Sequence, residues 1–96
     1  MKTAAEYLEQ ARLIQEQRAK DYDTPGGERS MAAVVTAFNV LFDKNLTETE
    51  GWGFMVLLKM RRGHSAPGHH EDSSADQVSY SALQAESSSR EGSPKG

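Results

Sequence analysis

Cysteine does not occur in the 96 residues, which excludes disulfides, thiolate metal sites and thiol catalysis and leaves no mark of a redox compartment. No apolar run is long. The longest, Gly53 to Leu58, falls far short of the roughly 20 residues of a membrane span, so no membrane partner is expected. The opening residues MKTAAEYLEQ lack the apolar stretch of a secretory signal, and a cytoplasmic location in the host cell is expected. Charge of one sign is also scarce. The net charge of -3 is mild and spread along the chain, without the basic excess that neutralises many phosphates on a duplex, so DNA is not an expected partner. A Gly-rich phosphate loop of Walker type, a nucleophile elbow and an ordered Ser/His/Asp set are all missing.

What is present is helical punctuation. Thr3 with Glu6, and Thr47 with Glu50, have the spacing of a capping box, in which each side chain satisfies a free backbone N–H of the first turn. The first box opens a helix ending near Asp21, ahead of Pro25, Gly26 and Gly27. Its inner face is Tyr7, Leu8, Ala11, Ile14 and Arg18, with Glu9, Arg12, Glu16 and Gln17 toward water. Ser30 is the expected N-cap of a second helix, with the stripe Met31, Val34, Val35, Phe38, Leu41 and Phe42 and a stop at Asn45.

The second box opens a third helix that Gly63 should end. From Trp52 to Met60 this helix is apolar on nearly every face, the pattern of a hub packed by neighbours on several sides or at a subunit interface. Gly51 and Gly53 each cost about 1 kcal/mol of helix propensity, which points to a close backbone approach beside Trp52. A fourth helix is expected from about Asp72 to Glu86, its inner face Ala75, Val78, Ser79, Ala82 and Leu83. The fold class is thus all-α, a compact bundle of about four helices. It forms one domain over residues 1–86, followed by a disordered C-terminal tail over 87–96. A domain this small buries too little surface for a generous core, so a homodimer is expected.

Few residues carry chemistry. Asp72 and Asp76, four apart, share one face of the fourth helix. They could hold a divalent cation, or serve as a cap and a salt-bridged carboxylate. Lys59 and Arg62 share a face one turn apart on the third helix, with Arg61 beside them. They suit a phosphate, the two aspartates, or the negative end of the helix equally well. His64, His69, His70 and Glu71 lack the spacing of common zinc motifs. Tyr22, in KDYDTPGGE, could stack on a ring or plug one end of the bundle.

The stretches RAKDYDTP, GWGFMVLLKMRR and HHEDSSADQVSYSALQAE resemble a family of small uncharacterised phage and prophage proteins over roughly residues 12–86. Its pattern is a basic DYG turn, a helix ending in Lys-x-x-Arg, and an Asp-Ser-x-x-Asp-x-x-x-Tyr helix. The matching positions are Arg18, Asp21 and Tyr22, then Lys59 and Arg62, then Asp72, Ser73, Asp76 and Tyr80. That family is in turn distantly similar to the all-α, MazG-like nucleoside triphosphate pyrophosphatases, dimeric enzymes that hold nucleotide phosphates through magnesium. The resemblance implies a ligand site at Arg18, Asp21, Tyr22, Lys59 and Arg62 and, in its enzymatic form, a magnesium site at Asp72 and Asp76.

The departures argue against the enzyme. The pyrophosphatases set a Glu-Glu-x-x-Glu cluster on one helix against an acidic pair on the next, whereas MAAVVTAFNVLFDK carries only Asp43 near its end. Asp23 replaces the glycine after the tyrosine, and Ser79 the glycine before the last one. The expected function is therefore that of a phage or prophage accessory protein with no catalytic residues. It would bind a host or phage protein, as an inhibitor of a host enzyme or antiviral defence does, or a nucleotide phosphate, and would need no cofactor. The alternative is a magnesium-dependent nucleotide phosphohydrolase.

Overall fold

A computed structural model describes residues 1–22, 30–65 and 71–92, with the backbone alone at Tyr22. Both capping boxes form. The Thr3 and Thr47 hydroxyls accept from the backbone N–H groups of Glu6 at 3.2 Å and Glu50 at 3.1 Å, while the two glutamates accept in return from the threonine N–H groups at 3.1 and 2.9 Å. Helix α1 then runs Ala4–Tyr22 and α3 runs Glu48–Ser65. Between them lies α2, Ser30–Phe42, and after them α4, Glu71–Glu91. The protein is an all-α bundle of four helices, and no strand occurs among the described residues.

Three ends differ from the sequence expectation. Helix α2 stops at Phe42, where Asp43 takes the left-handed conformation with φ 55° in place of Asn45. An aspartate tolerates that conformation for the same reason an asparagine does, a short polar side chain that bonds locally. Helix α3 passes through Gly63 to Ser65, whose hydroxyl donates back to the Arg61 carbonyl at 2.8 Å. Helix α4 continues five residues beyond Glu86, so Ser87 is a buried helical residue and not the start of a tail. Tertiary contacts hold this extension: Arg90 pairs with Glu48 at 3.0 Å, and Thr49 donates to Glu91 at 2.8 Å. Residues 93–96 lie outside the described residues.

The helices pack in series. Among the described residues α1 packs on α4, α4 on α3 and α3 on α2, and the backbones of no other pair of helices come close. Tyr7 faces Glu71 and Gln15 faces Ser79, so α1 and α4 run parallel. Glu48 faces Arg90 and Lys59 faces Asp76, so α3 and α4 run antiparallel. The small residues of α4 explain its place between two neighbours. Ser73, Ala75, Ser79 and Ser87 are buried with Leu83, and their short side chains let both flanking backbones come close.

The core joins Met31 and Val35 of α2, Trp52 of α3 and Leu83 of α4, with Leu46, Met55 and Tyr80 around it. Trp52 is its centre, as the sequence suggests, but the hub expected from Trp52 to Met60 is buried on one side only. Phe54, Leu57, Leu58 and Met60 are exposed, because α4 and α2 cover just part of the α3 circumference. Likewise Leu8, Val34, Phe38, Leu41, Phe42 and Ala82, all expected to face inward, are exposed in a single chain.

Candidate functional site

The best-defined cluster of polar and aromatic side chains gathers where α1, α3 and α4 meet. Its anchor is Tyr80. The tyrosine ring stacks on Trp52 with centroids 5.6 Å apart and planes 24° from parallel. Two cations approach the same ring, Arg18 from α1 at 5.4 Å and Lys59 from α3 at 6.0 Å. Asp76, one turn before Tyr80, closes the group by pairing with Lys59 at 3.0 Å, both side chains being largely shielded from water.

Helix geometry accounts for the convergence. Asp76 and Tyr80 are four apart on one face of α4, and the antiparallel register of α3 brings Lys59 opposite the first and Trp52 opposite the second. The parallel register of α1 delivers Arg18 from the other flank. Each cation on an aromatic face contributes about 0.5–2 kcal/mol. The Lys59–Asp76 attraction offsets the cost of taking both charges out of water.

The residues singled out from the sequence are divided by the structure. Arg18, Lys59, Asp76 and Tyr80 come together, whereas Arg62 and Asp72 are exposed. Asp21 is also exposed and accepts from Gln17 at 3.0 Å. Ser73 is buried near Gly63. The side chain of Tyr22, the stretch from Asp23 to Arg29, and His69 and His70 lie outside the described residues, and His64 is an exposed residue of α3. Of the two readings of the aspartates, the structure shows a salt bridge at Asp76. Among the described residues no three His, Asp or Glu side chains gather as metal ligands.

Three further polar contacts had no signal in the sequence. Gln15 of α1 donates to the buried hydroxyl of Ser79. Near the start of α1, Tyr7 donates to Glu71 at 3.0 Å, and Lys2 pairs with the same carboxylate. Burial and the Glu71 carboxylate raise the Tyr7 hydroxyl above its ordinary value. The hydrogen bond to Glu71 raises Lys2. One donor is left over: the indole N–H of Trp52 is buried and has no partner among the described residues.

Gly51 sets the α2–α3 approach. A Cβ there would lie 2.5 Å from Met31 Sδ and 2.8 Å from Val35 Cγ1. Gly53 differs: a Cβ there would meet only Gln84 Nε2 at 3.0 Å, the far end of a long side chain. Beside it, Leu46, Gly53, Phe54, Val56 and Leu57 line an open apolar groove of about 450 Å³ edged by Glu50 and Gln84.

The fold and the cluster define a small all-α protein whose best-defined polar group is internally paired and whose apolar faces are open. It belongs to the DUF6378 family, a domain of unknown function, whose sequence pattern matches residues 6–88. No curated protein and no solved structure matches the chain.

Proposed function

We propose that this chain is a phage or prophage accessory protein that works as a dimer by binding a host or phage protein, not by catalysis. One observation carries this reading. Lys59 and the carboxylate of the Tyr80 cluster, Asp76, already neutralise each other, while Phe54 and Leu57 of α3 stand 59% and 60% exposed beside an apolar groove. Large apolar side chains held on a helix and left in water favour association, and the groove suits the apolar face of a partner's amphipathic helix. The phage setting comes from the sequence resemblance.

The test is affinity capture from infected or lysogenic cells with the wild type beside a Phe54→Glu/Leu57→Glu variant. The expected outcome is a partner held by the wild type and lost from the variant while the helical signal persists. A partner retained equally by both overturns the assignment to the α3 groove.

A nucleotide reading has one observation in its favour. The Arg18 guanidinium rests on the Tyr80 ring, and no carboxylate partner is found for it among the described residues. For a magnesium-dependent phosphohydrolase, Lys59 would have to exchange Asp76 for phosphate, and Asp76 would have to exchange Lys59 for the metal. Thermal melting with nucleotides and magnesium discriminates, because a ligand at 100 times its dissociation constant stabilises by about 2.7 kcal/mol. A flat response is expected. Magnesium-dependent pyrophosphate release that disappears in Asp76→Asn would establish the enzyme instead.

A further inference from the structure

Between Ser30 and Phe42 helix α2 has no charged residue. Among the described residues it packs on α3 through the side that carries Met31 and Val35, and Asn39 exchanges two hydrogen bonds with the Leu46 backbone just before α3. Its outer side is uncharged and mostly apolar: Val34, Val40 and Leu41 are 57–82% exposed, beside exposed Ala33, Thr36 and Ala37. A helix with apolar side chains on its outer side as well as its inner one belongs in an interior. Thirteen residues rise only about 20 Å, against the ~30 Å of a bilayer core, so α2 is too short to be covered by spanning a membrane.

We infer that the cover is a second copy of this chain, whose own α2 lies antiparallel across the first. This deepens the dimeric part of the reading above and is independent of its partner-binding part, which uses α3.

Four observations select a second copy. First, the outer face is neutral, with no charge for a charged partner to recognise. Second, it is self-complementary in shape. Ala32, Ala33, Thr36 and Ala37 form a shallow groove rimmed by Val40 and Leu41, so each helix offers both the groove and the side chains that fill it, as an isologous two-fold interface requires.

Third, the area suffices. On the outer side, the exposed parts of Val34, Val40 and Leu41 come to about 320–430 Å² when each residue contributes about 150–200 Å². A pair then buries roughly 650–850 Å², and Ala33, Thr36 and Ala37, exposed on the same side, bring it to about the 1,000 Å² of a specific interface. Fourth, the core of one chain is small. Among the described residues, apart from Ala11 and Ala75, the buried apolar residues are Met31, Val35, Trp52 and Leu83. A cover needed for folding must be present whenever the chain is made, and another copy always is. The sequence order agrees with the antiparallel arrangement. Glu-Arg precedes the charge-free run and Asp-Lys follows it, an order charge-complementary to its own reversal.

The absence of cysteine makes the test clean. Sedimentation equilibrium of the full chain at tens of micromolar should give twice the chain mass of 10.6 kDa. Single variants Ala33→Cys, Ala37→Cys and Val40→Cys should include at least one that oxidises to a covalent dimer, while Gln17→Cys, on the exposed side of α1, should not. These near-isosteric changes report on proximity without disturbing the fold. Val40→Glu should weaken dimerisation at least tenfold. A monomeric wild type overturns both the dimer and its surface. A dimer in which none of the three α2 cysteines cross-links, or whose affinity Val40→Glu leaves unchanged, overturns the surface alone. A wild-type monomer that instead captures an apolar helix of another protein through α2 overturns the choice of occupant.

Discussion

The α3–α4 pair and helix α2 are built on opposite principles. In the pair, small side chains on α4 let the backbones approach, and ion pairs fix the register along its length, Glu48 with Arg90 and Lys59 with Asp76. Specificity there is polar and internal. Helix α2 has no charge, and among the described residues it packs on α3, most closely at Gly51. Its position is fixed by shape, and most of its apolar surface is unused. The lesson is that one chain can close charged groups against each other in one region and still leave its greasiest helix half uncovered in another.

Trp52 is where the two regions join, and its truncation gives the largest expected effect. Trp52→Ala should cost about 3–5 kcal/mol by urea denaturation, because it removes the centre of the core and the ring stacked on Tyr80. Trp52→Phe should cost far less than its lost volume implies. It removes the orphaned indole N–H, a group whose burial without a partner costs about 1–3 kcal/mol. Equal losses in the two variants would show that the N–H has an acceptor after all.

The two glycines sharpen the contrast next. Gly51→Ala should destabilise by about 1–3 kcal/mol, since the added methyl meets stiff Val35 as well as Met31. Gly53→Ala, two residues on, should be neutral or stabilise by up to about 1 kcal/mol, because Gln84 can move aside and helix propensity improves. Effects of the same sign would mean that α2 is not held by close approach.

A smaller effect is expected in the polar region. Asp76→Asn should cost about 1–2 kcal/mol by leaving a shielded Lys59 without its counter-charge. The double change Lys59→Met/Asp76→Leu should recover most of that loss, as measured by a double-mutant cycle. Full additivity of the two sites would show that the pair is not coupled.

The smallest effects are the pH responses of exposed α1. The Arg12 hydrogen bond and charge hold Glu9 below its ordinary 4.5. That contribution is present above pH 4.5 and is lost as the pH falls through the lowered value. Lys2 is raised above its ordinary 10.5 by its hydrogen bond to Glu71, so its contribution is present below that pH and disappears as the pH rises through the raised value. Melting curves of Arg12→Gln should flatten the acid limb alone, and those of Lys2→Met the alkaline limb alone.

Much of this was legible in the residues. Two capping boxes announced α1 and α3 because Thr-x-x-Glu satisfies local donors whatever the tertiary context. The charge-free run after Ser30 identified α2 by its period. The four-residue spacing of Asp76 and Tyr80, and the place of Lys59 after an apolar stretch, put three members of the central cluster on helix faces. What could not be read was which faces meet. Nothing local distinguishes Ser87 from the polar residues after it, yet the tertiary structure makes it a buried residue. Nothing in the sequence links Gln15 to Ser79, or Tyr7 to Glu71, across gaps of 64 residues.

By itself, then, the sequence determined the class of fold and the start of each capped helix, because capping and periodicity are satisfied within a few residues of chain. The tertiary structure alone decided the serial order α1, α4, α3, α2. It also neutralised Lys59 with Asp76 and left α2 and the outer side of α3 uncovered. Register, close approach and burial depend on pairs of surfaces far apart in the chain, and no local pattern specifies which pairs form.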